Sequence, residues 1–176
     1  MGKILKTQPV KLIIALIFRD KLSYSKARKI LSRKFGSIDF ESPNLNFNLT
    51  NYYEKEIGRD LFRRFISFDK LISPDALPRI KVLTNKIEKK LSYRKGRTVN
   101  IDPGYLDMAK LVLASTKDYM HRIYLGRGIF AEVTLSYQGK SFRPWDWTYP
   151  DYRTEGYIRI FNHIRHAYSQ QITRKV

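Results

Sequence analysis

Between Ser115 and Leu135 the chain reads STKDYMHRIYLGRGIFAEVTL, and its side chains are of the kinds that proton transfer and anion capture use. Asp118, His121 and Glu132 are candidate catalytic groups, because carboxylates and an imidazole can accept and return a proton. Lys117, Arg122 and Arg127 are candidate anion-binding groups, since ammonium and guanidinium donors form charge-assisted hydrogen bonds to phosphate or carboxylate. The Gly-Arg-Gly run alone is no phosphate loop, having neither the spacing nor the strand-to-helix setting of a Walker or Rossmann turn. The same stretch also reads as a hairpin, and register decides which residues meet. A two-residue loop sets His121 opposite Glu132, whereas a three-residue loop, Gly126-Arg127-Gly128, pairs Leu125 with Ile129 and sets Arg122 opposite Glu132. The longer loop leaves Ile123, Leu125, Ile129, Ala131, Val133 and Leu135 on one face and Arg122, Tyr124, Glu132, Thr134 and Ser136 on the other. That alternation is the expected register, with Arg122 and Glu132 as a cross-strand ion pair.

Three other constellations carry possible chemistry. Glu54 and Glu56 in YYEKEIG, together with Asp102, form a candidate oxygen-ligand set for a divalent cation. His163 and His166, three apart in FNHIRHAY, could share a metal, but with no Glu three or four residues away and no cysteine an amphipathic helix is the simpler reading. In RPWDWTYPDY the rings of Trp145, Trp147, Tyr149 and Tyr152 either stack on bases or seal the edge of a core.

The elements that must position these residues follow from period and punctuation. VKLIIALIF is a continuous apolar run rich in branched residues, the pattern of a central strand. SYSKARKILSRKFG places Ala27, Ile30 and Leu31 at helical spacing and stops at Gly36. SIDFESPNLNFNL is an edge or bent strand interrupted by Pro43, NYYEKEIG a turn or short helix, and LFRRFISFDKLI a third strand. SPDALPRIKVLTNKIEKKLS has Ser73 to cap, Pro74 at the first helical position and a stripe of Leu77, Ile80, Leu83, Ile87 and Leu91. RTVNID is a fourth strand ending at Pro103-Gly104. The order β-α-β-β-α-β, with right-handed crossovers, puts both helices on one face of the sheet. The expected fold is therefore α+β: a ferredoxin-like two-layer sandwich over residues 1–104. Residues 105–176 elaborate it with a short helix near DMAKLVLAS, the hairpin, a further strand after Gly139 and a terminal helix, all within one domain of 1–176.

Charge is the outlying property. The 176 residues hold 34 Lys and Arg against 16 Asp and Glu, a net charge of +18, where roughly 2 to 8 keeps a small domain soluble. The excess is amino-terminal, 23 basic and 9 acidic side chains up to Thr98 against 11 and 7 beyond it. It concentrates on the two helices, with Lys26, Lys29 and Arg33 on the first and Lys86, Lys89 and Lys90, followed by Arg94 and Lys95, on and after the second. If both helices share a face, that face suits a phosphate backbone. No RNP ring pattern, GXXG loop or helix-turn-helix accompanies it. The absence of cysteine fits a reducing compartment, and the apolar run Leu12 to Phe18 is too short to span a bilayer, so a cytoplasmic protein without membrane contact is expected.

The runs NYYEKEIG, NIDPGYLDMAKLVLASTKDYMHRIYLGRGIFAEVTL and WTYPDYRTEGYI resemble the prokaryotic domain-of-unknown-function family 4416 over nearly the whole chain. The resemblance implies that the three phrases share one surface or core; it implies no activity and no cofactor. The leading functional expectation is a basic protein that binds RNA, DNA or another polyanion. The alternatives are a small enzyme or binding protein for a phosphorylated metabolite or nucleotide, and a scaffold for protein partners.

Overall fold

The structure is a computed structural model that describes residues 2–3, 7–50, 52–93 and 96–173. Along the chain come β1 (Lys11–Phe18), α1 (Lys21–Phe35), β2 (Ile38–Glu41), β3 (Leu45–Phe47), the one-turn α2 (Glu54–Ile57) and β4 (Leu61–Phe68). A short 3-10 turn leads into α3 (Leu77–Leu91), followed by β5 (Val99–Leu106), β6 (Lys110–Ser115), β7 (Ile123–Gly126), β8 (Ile129–Gln138), β9 (Ser141–Pro144) and α4 (Glu155–Thr173). The strands form one nine-stranded sheet in the order β2-β4-β1-β5-β6-β8-β7, with β3 also on β4 and β9 also on β8. All the paired strands are antiparallel.

Every residue of β1 is buried because its alternate side chains enter two different cores. Leu12, Ile14, Leu16 and Phe18 pack with Tyr24, Ala27 and Leu31 of α1 and Ile80 and Ile87 of α3. Ile13 and Ala15, with Phe65 of β4, pack instead with Tyr157, Phe161, Ile164 and Tyr168 of α4. A continuous apolar strand needs cover on both faces, and α4 supplies the second cover. The two-layer expectation is corrected accordingly: there are three layers, with α1 and α3 together on one face and α4 on the other.

Local chemistry accounts for most element boundaries. Asp20 caps α1 by accepting the Ser23 amide at 2.8 Å, and Gly36 ends it at φ 99°. Pro43 separates β2 from β3, and Ser42 bridges the break by accepting the Phe65 amide on its hydroxyl. Two boundaries depart from expectation. DMAKLVLAS is not helical: Lys110–Ser115 is a strand between β5 and β8, where two strand partners outweigh the helix propensity of Met, Ala, Lys and Leu. β5 runs through Pro103-Gly104 to Leu106 rather than turning there, and Gly104 is required because a Cβ would lie 2.5 Å from the Val112 carbonyl oxygen. β5 and β6 pair only through Gly104–Leu106 and Leu111–Leu113, so Val99 to Pro103 have no pairing on the β6 side.

Candidate functional site

The body of the hairpin has the expected register. Ile123 pairs with Ala131 and Tyr124 with Phe130, which sets Arg122 against Glu132. Its tip differs. A bulge at Leu125 brings Gly126 opposite Ile129, leaving a two-residue turn with Arg127 at φ 59° and Gly128 at φ 72°. Two consecutive left-handed residues make the primed turn whose twist matches the flanking strands. A further irregularity in β8 pairs Leu111 with Leu135 but Val112 with Val133. Leu135 therefore enters the core under α4, while Ile129, Ala131 and Val133 remain on the α3 side.

Glu132 is 2% exposed and sits at the centre of this region. Its Oε2 accepts Arg122 Nε at 2.9 Å and Nη2 at 2.8 Å and lies 3.1 Å from His121 Nε2, while Oε1 accepts the Thr134 hydroxyl at 3.1 Å. Arg122 also donates from Nη1 to Ser115 Oγ at 2.9 Å and the Lys117 carbonyl at 3.0 Å, and from Nη2 to Tyr149 OH at 3.0 Å. A guanidinium has five N–H donors, and all five are engaged. Arg122 has none left for a ligand, so it ties the hairpin to the loops beside it. Glu132 and these hydrogen bonds hold its charge more firmly than burial opposes it.

The neighbours complete a layer of rings. Tyr119 lies under the Arg122 guanidinium at 4.6 Å, and near-parallel contacts run from Tyr119 to His121, from His121 to Trp147 and from Trp147 to Trp145, tilted by 4°, 12° and 7°. Lys117 donates to Tyr52 OH at 2.8 Å and stands over that ring. Asp118 and Arg127 are exposed and, among the described residues, form no ion pair. Sequence alternation thus located Arg122 against Glu132 but not His121, whose imidazole nevertheless reaches Glu132 at 3.1 Å; Lys117 is at the margin of the group, and Asp118 and Arg127 are outside it.

Further buried charges lie elsewhere. Arg63 of β4 is 4% exposed, pairs with Asp151 at 3.0 Å and is enclosed by the rings of Phe47, Tyr152 and Tyr157. Burial opposes its charge, but Tyr152 and Asp151 raise its pKa above the ordinary arginine value. Lys81 of α3 reaches Asp102 of β5 at 2.9 Å, in the stretch of β5 that pairs with β1 but not with β6. Burial would raise the Asp102 pKa, yet Lys81, Arg63 and the Asn100 amide lower it. Glu88, under 10% exposed, accepts the Ile101 amide and the Arg97 guanidinium, and burial raises its pKa. The signal for these residues was a charge on an apolar stripe: Arg63 alternates with Leu61 and Phe65, and Lys81 and Glu88 share a helix face with Leu77, Thr84 and Ile87.

The candidate metal set does not assemble. Glu54 faces Arg59, Glu56 faces Arg97 and Asp102 faces Lys81, so each carboxylate meets a cation of the protein instead. Among the described residues no group of three His, Cys, Asp or Glu could hold a metal. His163 packs on Phe40 and His166 lies against Gln170.

On the opposite side of the sheet α1 and α3 lie together over one core. Lys26, Lys29, Arg33, Lys86, Lys89 and Lys90 are all exposed, and among the described residues none forms an ion pair. Arg28 is the exception on α1, held by Glu41 at 2.7 Å. Arg94 and Lys95 fall outside the described residues. No helix among the described residues is long and apolar enough to cross a membrane.

A family model described as Domain of unknown function (DUF4416) matches residues 8–168. The chain belongs to DUF4416. Neither a curated protein nor a solved structure matches it. In this DUF4416 protein the three distinctive phrases meet on the α4 side of the sheet. Tyr52 of the first contacts Lys117 of the second, and Tyr149 and Trp147 of the third bond to Arg122 and to the Val133 carbonyl. The exposed cations of α1 and α3 lie outside those phrases.

Proposed function

We propose that this DUF4416 protein binds nucleic acid through the α1–α3 face, as a cytoplasmic protein whose first half is a ferredoxin-like unit. The ferredoxin-like reading is supported by the order β2-β4-β1-β5, antiparallel throughout, with both crossover helices on one face. The cysteine-free sequence supports the location.

One observation carries the binding reading: two helices that share a core present exposed cations, among them Lys26, Lys29, Arg33, Lys86, Lys89 and Lys90, that have no acidic partner among the described residues. Six ammonium and guanidinium groups on one face repel each other and lower stability, a cost a polyanion removes by replacing repulsion with attraction. Binding of this type is sequence-independent and driven by counterion release. The rival reading, a pocket for a phosphorylated small molecule around Arg122 and Glu132, has less support because Arg122 has no free donor. The test is retention of RNA and DNA at low salt by the protein and by the triple variant Lys86→Glu, Lys89→Glu, Lys90→Glu. Retention lost in a folded variant supports the proposal; unchanged retention removes it.

A further inference from the structure

We infer that the nucleic acid held by the α1–α3 face is double-stranded, an inference that rests on reading that face as a nucleic-acid interface. Proteins that hold single strands set cations beside rings with open faces, on which successive bases stack. Here the two features are on opposite sides of the sheet. The exposed rings Tyr119, Trp145, Trp147 and Tyr149 lie on the α4 side, around Glu132, whose strand neighbour Leu113 packs into the core under α4. Tyr119, Trp147 and Trp145 stand in a near-parallel series with His121 between the first two, and the cations among these rings are engaged: Arg122 by Glu132 and Tyr149, Lys117 by Tyr52 and Arg153 by the carbonyls of Thr148 and Asp146.

The α1–α3 side has the complementary composition. Tyr24 of α1 is buried against Phe18, and Phe35 is turned edge-on to Phe68. Tyr93, an exposed ring, follows the last turn of α3 by two residues, and one ring makes no stacking row. The cations fall into two straight rows. Lys26, Lys29 and Arg33 stand at i, i+3 and i+7 on α1, a row of about 10 Å at 1.5 Å per residue. Arg79, Lys86 and Lys90 stand at i, i+7 and i+11 on α3, a row of about 16 Å. Packed helices are roughly 8–10 Å apart, so the face offers two parallel lines of charge. A duplex presents two backbones on a stiff rod; a single strand presents one flexible line and needs the stacking that this face lacks.

Both tryptophans of the chain, Trp145 and Trp147, belong to the ring layer on the far side, so intrinsic fluorescence reports which face a ligand occupies. The experiment titrates the intact protein at low salt with labelled duplex RNA, duplex DNA and single strands of the same length and sequence, following anisotropy and tryptophan emission together. The expected result is a duplex preference of about tenfold or more, with tryptophan emission unchanged on duplex binding. Trp147→Ala should leave duplex affinity unaltered. Single strands binding as tightly as duplex, or quenching tryptophan as they bind, overturn the inference while leaving the nucleic-acid reading in place. No binding by either form overturns that reading itself.

Discussion

Arg122 and Glu132 face each other across β7 and β8 at 2.8 Å, with side chains 3% and 2% exposed, and the arginine uses all its donors inside the protein. A pair so enclosed is an anchor, and its loss should appear in stability. Removing Glu132 leaves the Arg122 charge buried without a counter-ion, and removing Arg122 leaves Glu132 with only His121 and the Thr134 hydroxyl; breaking a buried pair in this way costs about 3–5 kcal/mol. Glu132→Ala and Arg122→Ala should each lower the unfolding free energy by that order in denaturant titration. The double variant Arg122→Met, Glu132→Leu should lose less than the two single losses together. Singles within about 0.5 kcal/mol of wild type would show that the pair is not closed in solution.

The acid limb of stability should report Asp102. Its carboxyl titrates below its ordinary value near 3.8 because Lys81, Arg63 and Asn100 outweigh burial. With a folded pKa below the unfolded one, the stabilisation is complete above about pH 3.8 and is lost as pH falls through the folded value. Asp102→Asn should flatten that part of the stability–pH curve and cost about 1.5–3 kcal/mol at neutral pH, the range for a hydrogen bond to a charged group. An unchanged acid limb would mean that other carboxylates set it.

Gly104 should tolerate no side chain. A Cβ there would meet the Val112 carbonyl oxygen at 2.5 Å and Leu113 Cδ2 at 2.7 Å, and the first of these is backbone that cannot swing away. Gly104→Ala should destabilise by about 1–3 kcal/mol, read from the denaturation midpoint, by forcing β5 and β6 apart. A neutral substitution would place β6 elsewhere.

Arg127 should be replaceable with gain. It holds φ 59° at the first position of the two-residue turn, a conformation that Asn adopts more readily. Arg127→Asn should raise stability by about 0.5–1 kcal/mol in thermal unfolding. On the present reading it should also leave nucleic-acid affinity nearly unchanged, since Arg127 is at the hairpin tip and not on the α1–α3 face. A large loss of binding would transfer the interface to the hairpin.

How much could be read from the sequence depended on whether local pattern or tertiary context decided the element. The Arg122–Glu132 register was legible because alternation across a hairpin is a two-way choice with the apolar set as arbiter. The one-sided placement of α1 and α3 was legible because crossover handedness leaves little freedom. The Leu125 bulge was not, since one slipped residue changes no composition. The residues of Lys110–Ser115 favour helices, and only the neighbours β5 and β8 make that segment a strand. The second face of β1 was visible in its unbroken apolar run, yet nothing local named α4 as its cover. Arg63 stood on an apolar alternation, but its partner Asp151 is 88 positions away and no local rule joins them.

The most direct test of the central claim is the salt dependence of duplex binding. Six phosphates neutralised predict a slope of roughly −5 for log affinity against log salt concentration. Replacing Lys86, Lys89 and Lys90 with Glu should reduce its magnitude by about 3 units or more while the unfolding transition is retained. A slope near zero for the unmodified protein, or the same slope in the folded triple variant, would contradict the account.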